Sequence, residues 1–165
     1  MRAEIVVFQN PELDGLILGR TEYAGEVTLE VQASHIAPFL EAMKTQLGYN
    51  YLSDITATDY YTDHKRFGIA YNLVSLGDKK RIRVFCRVEE ENPEVHTVSN
   101  IWTSANWYER ECWDMMGIVF KGHPDLRRIF MPEDFEYHPL RKEFPLIGIP
   151  GSIQVPEKDP PKEYK

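Results

Sequence analysis

The densest cluster of ionisable side chains in the sequence lies within residues 109–114 and contains Glu109, Arg110, Glu111 and Asp114. On a helix, Glu111 and Asp114 share one face, and Arg110 and Asp114 are close enough to pair, because residues three and four apart are neighbours. Paired carboxylates of this kind can act as a general acid and a general base. The cluster is therefore the first place to look for chemistry.

Two interpretations of this cluster remain open at the level of the residues. In the first, the chain is a free-standing metal-dependent hydrolase in which His123 or His138 serves as metal ligand or proton shuttle. In the second, the charges are structural and are neutralised by Arg127, Arg128 and Arg141, since a planar guanidinium can bind a carboxylate through two hydrogen bonds. Both histidines directly precede a proline, which is typical of fixed loops.

Motifs for cofactors are absent from the sequence. It contains no GxGxxG, no GxxxxGK[ST], no CxxC and no HExxH. Cys86 and Cys112 are its two cysteines, whereas an iron–sulfur cluster usually takes four thiolates, so we expect both to be reduced thiols. A net charge of -7 disfavours nucleic acid as a partner, and no apolar run approaches the ~20 residues needed to span a bilayer. We expect a soluble chain that faces the cytosol.

Hydrophobic periodicity predicts an α+β fold, with a mostly antiparallel sheet and helices packed on one of its faces. Short polar turns join the later strands, so these should be antiparallel neighbours. In 81–88, apolar side chains alternate with Arg81, Arg83 and Arg87, as a strand with one buried face requires. The predicted strands are 3–8, 27–31, 51–60, 67–76 and 81–88, and the predicted helices are 37–47 and 98–116.

Periodicity fails after Phe120, although aromatic residues, paired arginines and four prolines argue against disorder. We divide the chain into an α+β domain at 1–120, an extended partner-gripping segment at 121–148 and an extended or disordered tail at 149–165. Residues 121–148 are called the C-terminal segment below. Its peptide groups need side chains, water or another protein as hydrogen-bond partners.

The stretch 105–144 resembles the C-type subunit of NADH-quinone oxidoreductase, which is the thirty-kilodalton subunit of respiratory complex I. The family's ERE motif matches 109–111, its aspartate and glycine match Asp114 and Gly117, and Met116 stands where the family typically has Phe. GHPDLRR matches 122–128 in full, and HPLRK matches 138–142. Weaker similarity in 51–60 and 66–73 extends the resemblance to about residues 50–146.

The resemblance implies a scaffold subunit without catalytic residues, in the peripheral arm of a proton-translocating complex that transfers electrons from NADH to quinone. It implies no cofactor or metal on this chain, with FMN and iron–sulfur clusters carried by other subunits, and a location on the cytoplasmic face of the inner membrane. It places Glu109, Arg110, Glu111 and Asp114 in structural ion pairs. Candidate contacts to the neighbouring D-type subunit of the same complex are His123, Arg127, Arg128, His138, Arg141 and Lys142.

Three alternatives remain at this stage, one within the family and two outside it. Similar subunits occur in complexes fed by ferredoxin, so the electron donor is not determined by this chain. From other functional classes, the hydrolase and a generic adaptor that binds some other partner through 120–144 both remain. Identifying the proteins that co-purify with the chain separates these hypotheses.

Overall fold

The fold is an α+β domain whose main feature is a five-stranded sheet. The structure, a computed structural model, describes residues 11–61 and 63–151. The strands are β1 (Ile17–Tyr23), β2 (Glu26–Val31), β3 (Tyr51–Asp59), β4 (Phe67–Ser75) and β5 (Lys80–Val88). Their order in the sheet is β1-β2-β5-β4-β3; β2 and β5 pair in parallel, and the other neighbours pair antiparallel.

One face of this sheet forms the core, as the alternating pattern predicts. Along β5 the buried residues are Ile82, Val84, Cys86 and Val88, and they lie opposite the buried residues Leu73, Tyr71, Ile69 and Phe67 of β4. Both cysteines are free and buried. The predicted α+β class with antiparallel later strands is confirmed.

The helix α2 (Ile36–Leu47) follows a short 3₁₀ turn at Ala33–His35 and covers the buried face with Phe39, Leu40 and Met43. His35 occupies the N-cap without a side-chain cap hydrogen bond. The helix ends at Gly48, whose φ of 72° is the left-handed conformation that glycine adopts readily. A four-residue helix, α1 (Pro11–Asp14), precedes the sheet.

The last helix, α3 (Ala105–Met116), is shorter than predicted, and it ends at Gly117 with a φ of 75°. Residues 98–104 form turns and not the first part of this helix, because they are held by contacts with distant residues. The Trp102 indole donates to the Asn50 carbonyl, and the Lys44 ammonium group donates to the Ile101 carbonyl. The helix lies against β3, where the Cys112 thiol contacts the Ile55 carbonyl.

Two short strands outside the main sheet were not predicted. These are β6 (Glu94–His96) and β7 (Val119–Lys121), which pair in parallel. Within 121–151, no helix or strand continues beyond Lys121 in the residues that the structure describes. The predicted strand 3–8 and most of the tail lie outside the described residues. None of the described helices is long and apolar enough to cross a membrane.

Candidate functional site

Asp114 fixes the start of the C-terminal segment. Its side chain is fully buried at the end of α3, and one carboxylate oxygen accepts the backbone N–H groups of Ile129, Phe130 and Met131 at 2.9, 2.7 and 3.1 Å. The other oxygen accepts Nη1 of Arg128 at 2.6 Å. Burial raises the pKa of this carboxyl, but the three N–H groups and Arg128 outweigh burial, so its pKa lies below the usual value. Asp114 is therefore a buried anion with both oxygens occupied.

Two arginines reinforce this contact from either side. Arg128 lies between the rings of Trp113 and Phe135, at 5.5 and 5.7 Å from their centroids. Arg110 does not pair with Asp114 along the helix; it donates to the carbonyls of Arg127 and Arg128, each at 3.1 Å. Both guanidinium groups are thus used within the chain.

The middle of the C-terminal segment binds the end of α3. Nδ1 of His138 donates to the Asp114 carbonyl at 3.0 Å, and Nε of Arg141 donates to that of Met116 at 2.7 Å. Burial lowers the pKa of His138, and nearby Arg141 and Arg128 lower it further, so the ring is neutral at pH 7. Gly117 makes this approach possible, since a Cβ there would lie 2.6 Å from Nε2 of His138.

Residues 138–148 form three β-turns in succession. Each is closed by a backbone hydrogen bond: Arg141 N–H to the His138 carbonyl at 3.1 Å, Phe144 N–H to that of Arg141 at 3.0 Å, and Gly148 N–H to that of Pro145 at 2.9 Å. The segment therefore supplies many of its own backbone partners, although it contains no helix or strand beyond Lys121.

A second buried carboxylate, Asp59 at the end of β3, holds the second of these turns. It accepts the Lys142 N–H at 2.8 Å and binds Arg66 through two hydrogen bonds, Nε to Oδ1 at 2.8 Å and Nη2 to Oδ2 at 2.7 Å. Arg66 also pairs with Glu90 and with Glu143 of the segment. The hydrogen bond from Arg66 is the main cause that lowers the pKa of Asp59 to about 2.

Sequence reasoning did not single out Asp59 and Arg66. A signal was present, because Ile55, Ala57 and Asp59 alternate on the core-facing side of β3. A charged residue at a core position requires a buried partner. The neighbouring strand begins one residue after Arg66, which lies across the hairpin turn from Asp59.

Glu109 ties α3 to the loop that follows β6. The side chain is fully buried, and its carboxylate accepts the Val98 N–H at 2.7 Å and the Thr97 hydroxyl. Nε2 of His123 is 4.0 Å away, but the ring is used elsewhere: Nδ1 accepts the Asp125 N–H, so Nε2 carries the hydrogen and donates to the Asn106 carbonyl at 3.2 Å. Burial raises the pKa of Glu109 to about 7.

This raised pKa predicts a pH dependence of stability. Because the folded state binds the Glu109 proton more tightly than the unfolded state, the stability that protonation adds is lost as pH rises from about 4.5 to about 7. Over this pH range the free energy of unfolding of the wild-type chain should fall by roughly 3 kcal/mol relative to that of the Glu109→Gln variant, whose side chain keeps the shape and stays neutral. Urea denaturation of both chains at pH 4.5, 6 and 8 measures this fall. A difference between them that does not change with pH would contradict the assignment.

The residues of the hydrolase interpretation are used in other ways. Glu111 is exposed, whereas the carboxylate oxygens of Asp114 accept backbone N–H groups and Arg128. His123 uses both ring nitrogens on nearby backbone groups, and His138 uses Nδ1 on the Asp114 carbonyl. Among the described residues, no group of three or more His, Cys, Asp or Glu side chains is placed to hold a metal ion.

The C-terminal segment exposes several large apolar side chains. Phe130 is 59% exposed, Leu140 55% and Tyr137 40%, and the buried ring of Phe135 lies 5.6 Å from that of Tyr137 between centroids. Trp107 of α3 is exposed beside the segment and stacks on Arg110. Of the six predicted contact residues, Arg127 and Lys142 are exposed, whereas His123, Arg128, His138 and Arg141 are partly buried against the chain itself.

The chain is similar in sequence to a family of known proteins. Residues 29–149 match the family model described as respiratory-chain NADH dehydrogenase, 30 Kd subunit. The C-type subunit of NADH-quinone oxidoreductase from Geotalea uraniireducens is 44% identical over 146 residues, which cover 88% of this chain and 85% of that one. The C-type subunit numbered 2 from Rhizobium meliloti is 48% identical over 131 residues, which cover 78% and 71% of the two chains.

The chain belongs to this 30-kDa subunit family. A solved structure titled as the trypsin-resistant fragment (1-134) of Nqo5 is 37% identical, with a TM-score of 0.61 over 66% of this chain and 89% of that one. The corresponding match to a chain of an archaeal membrane-bound sulfane sulfur reductase has a TM-score of 0.72 over 93% and 94% of the chains. At 22% identity, that second similarity shows the shared fold alone. The 30-kDa family match includes α3 and the whole C-terminal segment.

Proposed function

We propose that the chain is a non-catalytic scaffold subunit of the peripheral arm of a proton-translocating NADH-quinone oxidoreductase. In this role it supports electron transfer from NADH to quinone by docking to the D-type subunit. Family membership supports the assignment to such a complex, and the names of the relatives at 44% and 48% identity supply the reaction. The internal geometry supports the scaffold role.

One observation carries the scaffold role: Asp114, His138 and Arg141 are used to hold the C-terminal segment in place. Asp114 accepts four hydrogen bonds from 128–131, and His138 and Arg141 donate to backbone carbonyls of α3. Both oxygens of Asp114, Nδ1 of His138 and Nε of Arg141 are thus occupied within the chain. What they achieve is a fixed position for the exposed apolar side chains of Phe130, Tyr137 and Leu140, and exposed apolar groups held in place in this way favour an interaction site.

The docking surface for the D-type subunit is the exposed apolar surface of the segment, around Phe130, Tyr137 and Leu140. Arg127 and Lys142 lie exposed within the same segment and form a charged rim, as is common at protein interfaces. The other four predicted contact residues act indirectly, because they position this surface. Accordingly, residues 1–120 are the domain, 121–148 grip the partner, and 149–165 form a tail.

In this assignment, FMN and the iron–sulfur clusters belong to other subunits, and the complex lies at the cytoplasmic face of the inner membrane. The test is purification of the tagged full chain from detergent-solubilised membranes. We expect the D-type subunit and cluster-bearing subunits to co-purify, and the separated chain not to oxidise NADH with a quinone acceptor. Recovery of the chain alone with stoichiometric metal would instead favour the hydrolase, and NADH oxidation by the separated chain would refute the scaffold role.

A further inference from the structure

The third β-turn of the C-terminal segment carries the two most exposed large apolar side chains described in this chain. Leu146 is 109% exposed and Ile147 is 95% exposed. They occupy the two central positions of the turn 145–148, which the hydrogen bond from Gly148 N–H to the Pro145 carbonyl closes at 2.9 Å. Single exposed aliphatic residues are common on proteins, but two adjacent ones at full exposure on a closed turn form a protruding apolar tip.

The base of this tip is fixed to the domain. In the preceding turn, Lys142 N–H binds Asp59 and Glu143 pairs with Arg66. Phe144, the residue before the tip turn, lies against Phe135 and Tyr137, with ring centroids 6.3 and 6.2 Å apart. The two aliphatic side chains are therefore held outward by a rigid support before any partner binds.

We infer that Leu146 and Ile147 form an anchor that inserts into an apolar pocket of the partner protein to which the C-terminal segment docks. The inference rests on the proposed function and adds to it the residues that carry the docking and the chemistry of the pocket. Truncating an apolar anchor that enters a closed pocket has a large effect on binding, and a preformed support lowers the ordering cost of association.

A protein pocket fits this tip better than a lipid surface. Within 141–143, Arg141 is partly buried and donates to the Met116 carbonyl, and Glu143 is acidic, so Lys142 is the one exposed basic group there, whereas loops that bind anionic membranes have clustered basic residues. Two aliphatic side chains also bury less hydrocarbon than one myristoyl chain, which by itself gives only marginal membrane binding. A pocket in a folded protein can bury both side chains completely.

The test replaces both residues in the tagged full chain, as L146S with I147S, and measures recovery of the D-type subunit from solubilised membranes. The matched control is Leu76→Ser, which changes an exposed aliphatic residue, 60% accessible, after β4. We expect recovery to fall about tenfold or more for the double variant and to stay at the wild-type level for the control. The urea midpoint of both isolated chains should match that of wild type.

A photo-reactive amino acid at position 147, with position 76 as control, identifies what the tip touches. Cross-linking from 147 to the D-type subunit supports the inference, whereas cross-linking to another protein or to lipid overturns it. Normal recovery of the D-type subunit with the double variant also overturns it and leaves the proposed function standing. If the wild-type chain recovers none of the D-type subunit, the proposed function fails, and the inference fails with it.

Discussion

Replacing Asp114 with alanine should lower the free energy of unfolding by about 3–5 kcal/mol, because Arg128 and three backbone N–H groups lose their acceptor inside the protein. This is a large part of the roughly 5–15 kcal/mol that typically stabilises a domain. The C-terminal segment should detach from α3 in this variant. Trypsin should then cleave after Arg127 and Arg128 faster than in wild type.

Asp114→Asn separates the charge from the shape. An amide oxygen can still accept from 129–131, but the amide N–H₂ group faces the guanidinium of Arg128, so an intermediate loss is expected. Because the pKa of Asp114 is lowered, its contribution to stability is present at neutral pH and is lost as pH falls through the folded-state pKa. Asp114→Asn should lack that part of the acid sensitivity. Urea denaturation at pH 7 and pH 3 measures both effects, and wild-type stability in the alanine variant would refute the structural role.

Replacing Arg66 with alanine should lower the free energy of unfolding by a similar amount, about 3–5 kcal/mol, because in this case a buried acceptor loses its charged donor. The side chain of Asp59 is fully buried, so removal of Arg66 leaves an anion in the core without its cation, close to Glu90 and Glu143. Arg66→Lys should recover part of the loss, because lysine restores the charge but not the two parallel hydrogen bonds. Urea denaturation of the full chain gives the free energy of unfolding for each variant.

The matched control for Arg66 is the double replacement Arg66→Met with Asp59→Leu. Replacing both members of a buried pair by apolar residues is often neutral for stability, so this double variant should be clearly more stable than Arg66→Ala. Yet it removes the acceptor of the Lys142 N–H, and the second turn of the C-terminal segment should become more accessible to protease. Equal losses in the double variant and in Arg66→Ala would show that the pair itself is not what stabilises this region.

Local patterns in the sequence predicted the parts of the fold that are determined locally. Strands β3, β4 and β5 follow from alternation and short turns, and α2 follows from helical spacing that ends at Gly48. Strand β1 was missed because it lies at the sheet edge with most side chains exposed, which removes the alternating pattern. The parallel pairing of β2 with β5 joins distant parts of the chain, so no local pattern encodes it.

In the candidate site, too, the local features could be predicted from the sequence, and the contacts between distant residues could not. Side-chain types indicated that arginines neutralise the carboxylates of α3, and Arg128 does so for Asp114. The three backbone donors to Asp114 were not predictable, since they depend on the path of the chain after Arg128. The pair of Asp59 with Arg66 connects the sheet to a distant segment, since Arg66 and its other partner Glu143 are 77 residues apart in the chain.

The succession of β-turns in 138–148 also bears on how this chain avoids aggregation. An exposed strand offers a row of unpaired N–H and C=O groups, and another copy can add to that edge. Here each turn closes a hydrogen bond onto itself, so the backbone that presents Leu140, Leu146 and Ile147 has no continuous edge of this kind. The apolar groups needed for binding are thus displayed on a backbone that is a poor template for cross-β assembly.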